Sequence, residues 1–96
     1  MSEYSAYKIQ WTNYMLYRIA VRGFKKDKIE HIIRSSTEHY FDTETRRLVL
    51  VGKHDNQLVI IPYDKAGQNI TPVTIHAITK QQIRFRKLSR RFEDAK

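Results

Sequence analysis

The sequence has no cysteine and few acidic side chains. The absence of cysteine among its 96 residues excludes disulfide bonds and cysteine-ligated zinc. Only ten aspartates and glutamates stand against 18 lysines and arginines, which leaves a net charge of +8. A surplus of this size predicts an anionic partner, either a nucleic acid or an acidic protein.

Long apolar runs and metal-binding spacings are also missing. The longest apolar run, Leu58 to Pro62, is far too short to span a bilayer, and the polar N-terminus has no apolar segment typical of a signal peptide. We therefore expect a soluble cytoplasmic protein with no membrane partner. The four histidines, at 31, 39, 54 and 76, form no spaced pair typical of a metal site, so no metal or other cofactor is predicted.

The hydrophobic content of 41% is enough for a folded core, and the length predicts a single domain over 1–96. Residues 1–6 and 93–96 are expected to be loose ends.

The first third of the chain predicts a short strand followed by two helices. Alternation over Tyr7 to Trp11 indicates the strand. Thr12 or Asn13 then caps a helix that ends at Gly23, and a second helix runs from Lys26 to Ser35. In the first helix, Met15, Leu16, Ile19 and Ala20 are expected to face the core, whereas Tyr14, Arg18 and Arg22 form a second stripe.

The middle of the chain predicts strands. We expect strands at Glu38 to Asp42, Arg46 to His54, Gln57 to Tyr63 and Ile70 to Ile78, with a turn at Asp55-Asn56 and a loop over Asp64 to Asn69. The second and third of these strands are apolar on both faces, which predicts packing on each side of the sheet. Pro62 is expected to end the regular ladder on one side or to mark a bulge.

The last third predicts a strand that leads directly into a basic helix. Thr79 and Gln82 have the spacing of a capping box, and the helix is expected to run from Lys80 to Phe92. Ile83, Phe85, Leu88 and Phe92 are predicted to pack inward. From Lys80 to Arg91 there are six lysines or arginines and no acidic residue, which is typical of a solvated helix face or of a phosphate-binding surface.

Three stretches of the sequence resemble the small ribonuclease toxins of the RelE/ParE superfamily, and the BrnT branch in particular. Tyr14 to Phe24 is similar to that branch's first helix, Leu48 to Tyr63 to its central hairpin with Gly52-Lys53, and Thr74 to Arg84 to its final strand and Thr-capped basic helix. The resemblance implies an α+β fold in which two N-terminal helices and a basic C-terminal helix pack on a mainly antiparallel sheet of four to five strands.

The resemblance also implies a function and a set of site residues. It implies the toxin of a bacterial type II toxin–antitoxin system, an endoribonuclease that cleaves mRNA, free or on the ribosome, through attack by the 2′-hydroxyl. An acidic antitoxin would neutralise it in a hetero-oligomer. The predicted catalytic residues are His76, Arg84, Lys53 and Arg22, because histidine titrates near neutrality and arginine binds two phosphate oxygens. The predicted RNA-binding residues are Arg18, His54, Lys80, Arg86, Lys87, Arg90 and Arg91.

Two other functions are considered, the first from a departure from the pattern that this sequence resembles. This chain has His76 and Ala77 where the BrnT branch has strand arginines, which favours a catalytically inactive module of the same fold that binds RNA or an acidic protein through the basic helix. DNA binding by a helix-turn-helix is disfavoured, because a recognition helix normally follows another helix and this helix follows a strand.

Overall fold

The computed structural model describes residues 6–95. They form one open sheet with helices on both faces. The elements in chain order are β1 (Lys8–Ile9), α1 (Asn13–Val21), α2 (Lys26–Ser35), β2 (Glu38–Asp42), β3 (Arg47–His54), β4 (Gln57–Ala66), β5 (Asn69–Pro72), β6 (His76–Ala77), α3 (Lys80–Leu88) and β7 (Phe92–Asp94). The strand order is β1-β5-β4-β3-β2-β7, with β6 beside β4. Strands β1 and β5 are parallel, and the other pairs are antiparallel. The predicted α+β class is confirmed.

The centre of the sheet is the β3–β4 hairpin, whose two-residue turn is the predicted Asp55-Asn56. Asp55 has a φ of 57°, the left-handed conformation that such tight turns favour. Across the hairpin, Leu50 pairs with Ile61 and Val51 with Ile60. Because neighbouring residues of a strand point to opposite faces, each pair supplies apolar side chains to a different side of the sheet.

Each side of the sheet has its own hydrophobic cluster. Helices α1 and α2 cover one face, in a cluster of Met15, Ile19, Ile29, Ile32, Ile33, Leu50, Val59, Ile61, Tyr63, Ile70 and Ile75. Helix α3 covers the other face, in a cluster of Tyr40, Val49, Val51, Ile60, Ile78, Ile83 and Phe92. The predicted packing on both sides of the two apolar strands is therefore confirmed. No helix in residues 6–95 has the length and apolarity needed to cross a membrane.

The sheet has more strands than predicted, seven in the described residues against an expected four to five. The expected loop over Asp64 to Asn69 is wrong, because β4 continues to Ala66 and turns at Gly67 and Gln68. The expected strand from Ile70 to Ile78 is two strands, β5 and β6, which pair with different halves of β4.

Pro62 explains the break between β5 and β6. A strand residue directs its N–H and C=O to the same side, and the carbonyl of Pro62 accepts a hydrogen bond from the N–H of Val73, at 2.8 Å, where β5 ends. Proline has no N–H to donate there, so the ladder is interrupted on that side. On the opposite side Pro62 keeps its pairing with Val49 of β3.

The C-terminal segment also differs from the prediction. The Thr79–Gln82 capping box is confirmed, with both hydrogen bonds present at 2.9 and 3.0 Å. The helix ends at Leu88, four residues earlier than expected, and Arg90 has a left-handed φ of 64°. Residues 92–94 then form β7 against β2, so the expected loose end over 93–96 is wrong at 93 and 94. The loose end expected over 1–6 lies outside the described residues for positions 1–5, as does position 96.

Packing of the last helix is shallower than predicted. Ile83 and Phe92 are buried as expected, but Phe85 and Leu88 are 69% and 76% exposed. On the first helix, Met15 and Ile19 are buried, whereas Leu16 and Ala20 are exposed. The α3 surface therefore combines exposed apolar side chains with its cations.

Gly52 allows α2 to lie close against β3, and its replacement tests that packing. A Cβ at position 52 would overlap the Cγ2 atom of Ile32. We expect Gly52→Ala to lower the free energy of unfolding by about 1–3 kcal/mol, because overpacking forces the helix or the side chain to shift. Denaturant unfolding measures this. Lys53→Ala, an exposed neighbour, is the control and should change stability by less than about 0.5 kcal/mol. Equal stability of Gly52→Ala and the wild type would contradict the close approach.

Candidate nucleic-acid interface

Helix α1 carries a stripe of Tyr14, Arg18 and Arg22 beside its buried face. The side chain of Thr12 caps the helix by accepting a hydrogen bond from the N–H of Met15 at 3.0 Å. Residues four apart lie above one another on a helix, so the predicted stripe is present. The Cζ of Arg18 is 5.8 Å from the ring centre of Tyr14, and Arg22 occupies the C-cap position just before Gly23.

Strand β6 places His76 at the end of this stripe. The strand pairs with β4, with His76 opposite Ile60, and buried Ile75 and Ile78 hold the segment on either side. The Nη1 of Arg22 donates a hydrogen bond to the Nδ1 of His76 at 3.2 Å. Since a guanidinium has only donors, Nδ1 acts as the acceptor, and the imidazole carries its proton on Nε2 when it is neutral.

Two further cations act on His76. Burial lowers the pKa of His76, and the positive charges of Arg18 and Arg86 lower it further. We call Arg18, Arg22 and His76, together with Arg86, the cationic edge. Arg86 is included because its charge acts on His76 from α3, although its Cζ lies 5.5 Å from the ring centre of Phe92. A histidine with a lowered pKa beside arginines is neutral at pH 7, so it is able to accept a proton.

Two buried polar atoms have no partner in the described part of the chain, one in Arg18 of the cationic edge and one in Thr74, two residues before His76. The Nε of Arg18 and the Oγ1 of Thr74 are buried and make no hydrogen bond within residues 6–95. A buried donor that lacks an acceptor carries a free-energy cost of about 1–3 kcal/mol. An anion bound at the cationic edge would compensate its three positive charges.

Chemically, the cationic edge combines phosphate binding with proton transfer. Guanidinium groups bind phosphate oxygens in a forked geometry, and a neutral imidazole serves as a general base. The Nδ1 lone pair of His76 is occupied by Arg22 in this structure. Proton transfer to Nδ1 would therefore require Arg22 to turn away from the imidazole.

Arg84, Lys80 and Lys87 lie elsewhere on α3, along a groove that also contains Glu38 and Tyr40. The Nζ of Lys87 is 5.4 Å from the ring centre of Tyr40. Among the α3 cations, Arg86 is the one whose charge acts on His76. Arg84 was predicted to reach the same face as His76, but it lines this groove instead. A catalytic role for Arg84 remains a prediction.

Lys53 lies in a depression away from the cationic edge, whereas His54 lines the same pocket as Arg22. Lys53 is exposed and lines a shallow depression with Asp27, Lys28, His31 and Asp55. His54 is only 7% exposed, and its Nε2 accepts a hydrogen bond from the N–H of Lys25 at 2.9 Å. Its ring packs edge-on against Phe24. His54 thus fastens the start of α2 to the central hairpin.

Arg91 forms an ion pair that fastens the C-terminal segment to β2. Its Nε and Nη2 donate to the two carboxylate oxygens of Asp42 at 3.0 and 2.9 Å, and Glu44 lies 3.6 Å away. Burial opposes ionisation of Asp42, but hydrogen bonds from Arg91 and from the N–H groups of Thr45 and Glu44 outweigh it, so the pKa of this carboxyl is lowered. Arg90 is exposed. Of Arg90 and Arg91, Arg91 is the one that forms an ion pair with a carboxylate in the described residues.

The two buried strand tyrosines bond to residues other than His76. The hydroxyl of Tyr40 donates to Glu38 at 2.6 Å, and burial together with this bond raises the pKa of Tyr40. The hydroxyl of Tyr63 lies 2.9 Å from the Nδ1 of His39. Neither hydroxyl is therefore placed to act as the acid for chemistry at His76.

Some features of the site were not predicted from the sequence. Thr74 was not named as a site residue, and the exposure of Tyr17, at 62%, was not expected. The spacing of Tyr14 and Tyr17, three residues apart, is the sequence signal from which a shared exposed surface could have been predicted. No sequence signal identified Arg86 rather than Arg84 as the α3 cation whose charge lowers the pKa of His76, because this depends on how α3 crosses the sheet.

Comparison with protein-family models, with curated proteins and with solved structures finds no match to this chain. The residues and their geometry therefore carry the functional argument. Within residues 6–95 no group of three or more histidine, aspartate or glutamate side chains is arranged to hold a metal ion.

The electrostatics of the cationic edge predict the titration of His76. We expect its pKa to lie below the ordinary value of 6.5 and to rise when Arg18→Gln removes one positive charge. Because the folded state resists protonation, His76 contributes stability above about pH 6.5 and this contribution is lost as the pH falls below it. Histidine-resolved NMR titration measures the pKa of His76 in the wild type and in Arg18→Gln.

Arg47→Gln is the control for this titration, because Arg47 forms a surface ion pair with Asp64 outside the cationic edge. It should leave the pKa of His76 unchanged. An Arg18→Gln protein in which that pKa stays the same would show that the guanidinium does not act on the imidazole.

Proposed function

We propose that the protein binds RNA at the cationic edge and cleaves it through attack by the 2′-hydroxyl, as the toxin of a bacterial toxin–antitoxin pair. The observation that carries the proposal is the hydrogen bond from Arg22 to the Nδ1 of His76. This bond brings a guanidinium, which suits phosphate binding, next to an imidazole, which suits proton transfer. The toxin role and the neutralising antitoxin rest on the resemblance to the RelE/ParE superfamily.

The proposed reaction begins when a phosphate binds beside Arg18 and Arg22. Arg22 moves its hydrogen bond from His76 to a phosphate oxygen, which frees the Nδ1 lone pair. The imidazole then takes the proton of the 2′-hydroxyl. The 2′-oxygen forms a bond to phosphorus, and the bond from phosphorus to the 5′-oxygen breaks. The leaving oxygen takes a proton from water, and the resulting hydroxide removes the proton from the His76 imidazolium.

The arginines supply the electrostatic part of the proposed reaction. Negative charge gathers on the phosphate during the displacement, and fixed cations stabilise it most at that point. Arg18 and Arg86 also keep the imidazole unprotonated before the reaction by lowering its pKa. Lys80, Lys87 and Arg90 add a wider positive surface that attracts RNA without reading its sequence.

Cleavage and binding of RNA by defined variants test the proposal. Purified wild-type protein should shorten a labelled single-stranded RNA and leave a 2′,3′-cyclic phosphate. His76→Ala should slow cleavage by about 100-fold or more, since a positioned base contributes this much, but should keep RNA affinity. Arg22→Ala should reduce both cleavage and affinity, because it removes a phosphate contact.

Arg47→Gln serves as the matched control, because it removes one positive charge from a surface ion pair on β3. Circular dichroism establishes that all variants are folded. Wild-type protein that binds RNA with a steep salt dependence but leaves it intact would replace the ribonuclease by a non-enzymatic RNA-binding module. Wild-type protein that does not bind RNA would sink both.

A second candidate function is the binding of an acidic protein partner by α3. Phe85 and Leu88 are exposed at 69% and 76%, and Arg84 lies beside Leu88 in the same groove. Exposed apolar side chains bordered by positive charges are typical of surfaces that receive an amphipathic acidic helix.

Binding of a synthetic acidic amphipathic peptide tests this second function. We expect Phe85→Ser and Leu88→Ser each to weaken binding by about tenfold, since central apolar contacts dominate such interfaces. Val21→Ser, at a comparably exposed position on α1 (61%), is the control and should have no effect. Fluorescence anisotropy measures the affinity, and equal losses for all three variants would argue against an α3-specific surface.

A further inference from the structure

An aromatic surface on α1 lies directly beside the cationic edge. Tyr14 is 56% exposed and Tyr17 62% exposed, and their spacing of three residues puts both on one side of the helix. Val21 continues this side at 61% exposure. Exposed aromatic and aliphatic side chains grouped on one side of a helix indicate a contact surface more strongly than single exposed ones do.

Tyr14 joins this surface to the phosphate-binding groups. The Cζ of Arg18 is 5.8 Å from the ring centre of Tyr14, and Arg22 follows Arg18 one turn later on the same stripe. Successive members of the stripe are separated by about 6 Å along the helix axis. Aromatic rings therefore lie within one helical turn of a cation that has an unpartnered buried Nε.

We propose that Tyr14 and Tyr17 form a stacking platform for unpaired bases of single-stranded RNA, with the adjoining phosphates bound by Arg18 and Arg22. This inference rests on the proposed function and names its substrate class. A tyrosine ring stacks on the face of any base, and guanidiniums bind the backbone that links those bases. The platform therefore selects single strands without selecting a sequence.

Duplex RNA does not fit this arrangement. In a duplex each base face is covered by its neighbours, so an exposed tyrosine has no base to contact. Its phosphates still interact with the cationic edge. The structure consequently predicts that the tyrosines contribute to the affinity for single strands alone, whereas the arginines contribute to the affinity for both forms.

The test compares the affinity for a single-stranded 2′-O-methyl RNA, which lacks the attacking hydroxyl, with the affinity for a duplex of the same sequence. We expect Tyr14→Ala to raise the Kd for the single strand by about five- to 150-fold, the range of one lost base stack. The Kd for the duplex should change by less than about twofold. Tyr17→Ala should act in the same direction, and Tyr14→Phe should keep wild-type affinity because it keeps the ring.

Phe85→Ala is the matched control, because it removes an aromatic ring of similar exposure, 69%, from α3. It should leave the affinity for the single strand within about twofold of the wild type. Thermal unfolding verifies that the variants are folded, as expected for substitutions at exposed positions.

The outcomes separate this inference from the proposed function. Binding of both RNA forms with no effect of Tyr14→Ala or Tyr17→Ala overturns the platform and leaves the proposed ribonuclease intact. Equal losses for single strand and duplex, or an equal loss for Phe85→Ala, also overturn it. Binding of neither RNA overturns the platform and the proposed function together. Binding of poly-glutamate that depends on Tyr14, without RNA binding, assigns the surface to a protein partner.

Discussion

The whole fold depends on burying both faces of the β3–β4 hairpin. Each of these strands carries consecutive apolar residues, such as Leu50-Val51 and Ile60-Ile61. Water would remain in contact with half of them if only one face were covered, and apolar burial is the main favourable contribution to folding. The helical hairpin α1–α2 covers one side and α3 covers the other. The route of the chain between these layers determines where the basic residues meet.

The cationic edge arises where that route passes around the sheet. The chain leaves β5 at Val73, whose N–H bonds to Pro62 of β4. It then pairs briefly with Val59 and Ile60 of β4 as strand β6, and enters α3. His76 lies on this short crossing. It therefore faces the last turn of α1, where Arg22 donates to it, and it also lies within the field of Arg86 from α3. Elements from both layers converge on one residue.

The remaining cations show how ion pairs divide a basic surface. Arg91 is held by Asp42, and Lys28 by Asp55 at 2.5 Å. These carboxylates hold segments of the fold together, and they neutralise part of the positive charge that would otherwise attract an anionic ligand. At the cationic edge no carboxylate is among the groups that act on His76. A local surplus of positive charge of this kind favours an anionic ligand.

The sequence by itself determined most of the local structure. Side-chain caps and periodicity depend on neighbouring residues, so Gly23, the helix Lys26–Ser35 and the Thr79–Gln82 capping box were predicted correctly. The first cap was predicted as Thr12 or Asn13, and the structure has Thr12. The stripe of Tyr14, Arg18 and Arg22 follows from helical spacing in the same way.

Only the tertiary structure decided which of these residues meet. The pairing of β7 with β2 and the exposure of Phe85 depend on contacts between residues far apart in the chain. So does the choice of Arg86 over Arg84 as the α3 cation that acts on His76. Helical spacing orders the residues along α3 but does not specify the angle at which the helix crosses the sheet. That angle is set by the packing of Ile83 against the apolar side chains of β3 and β4.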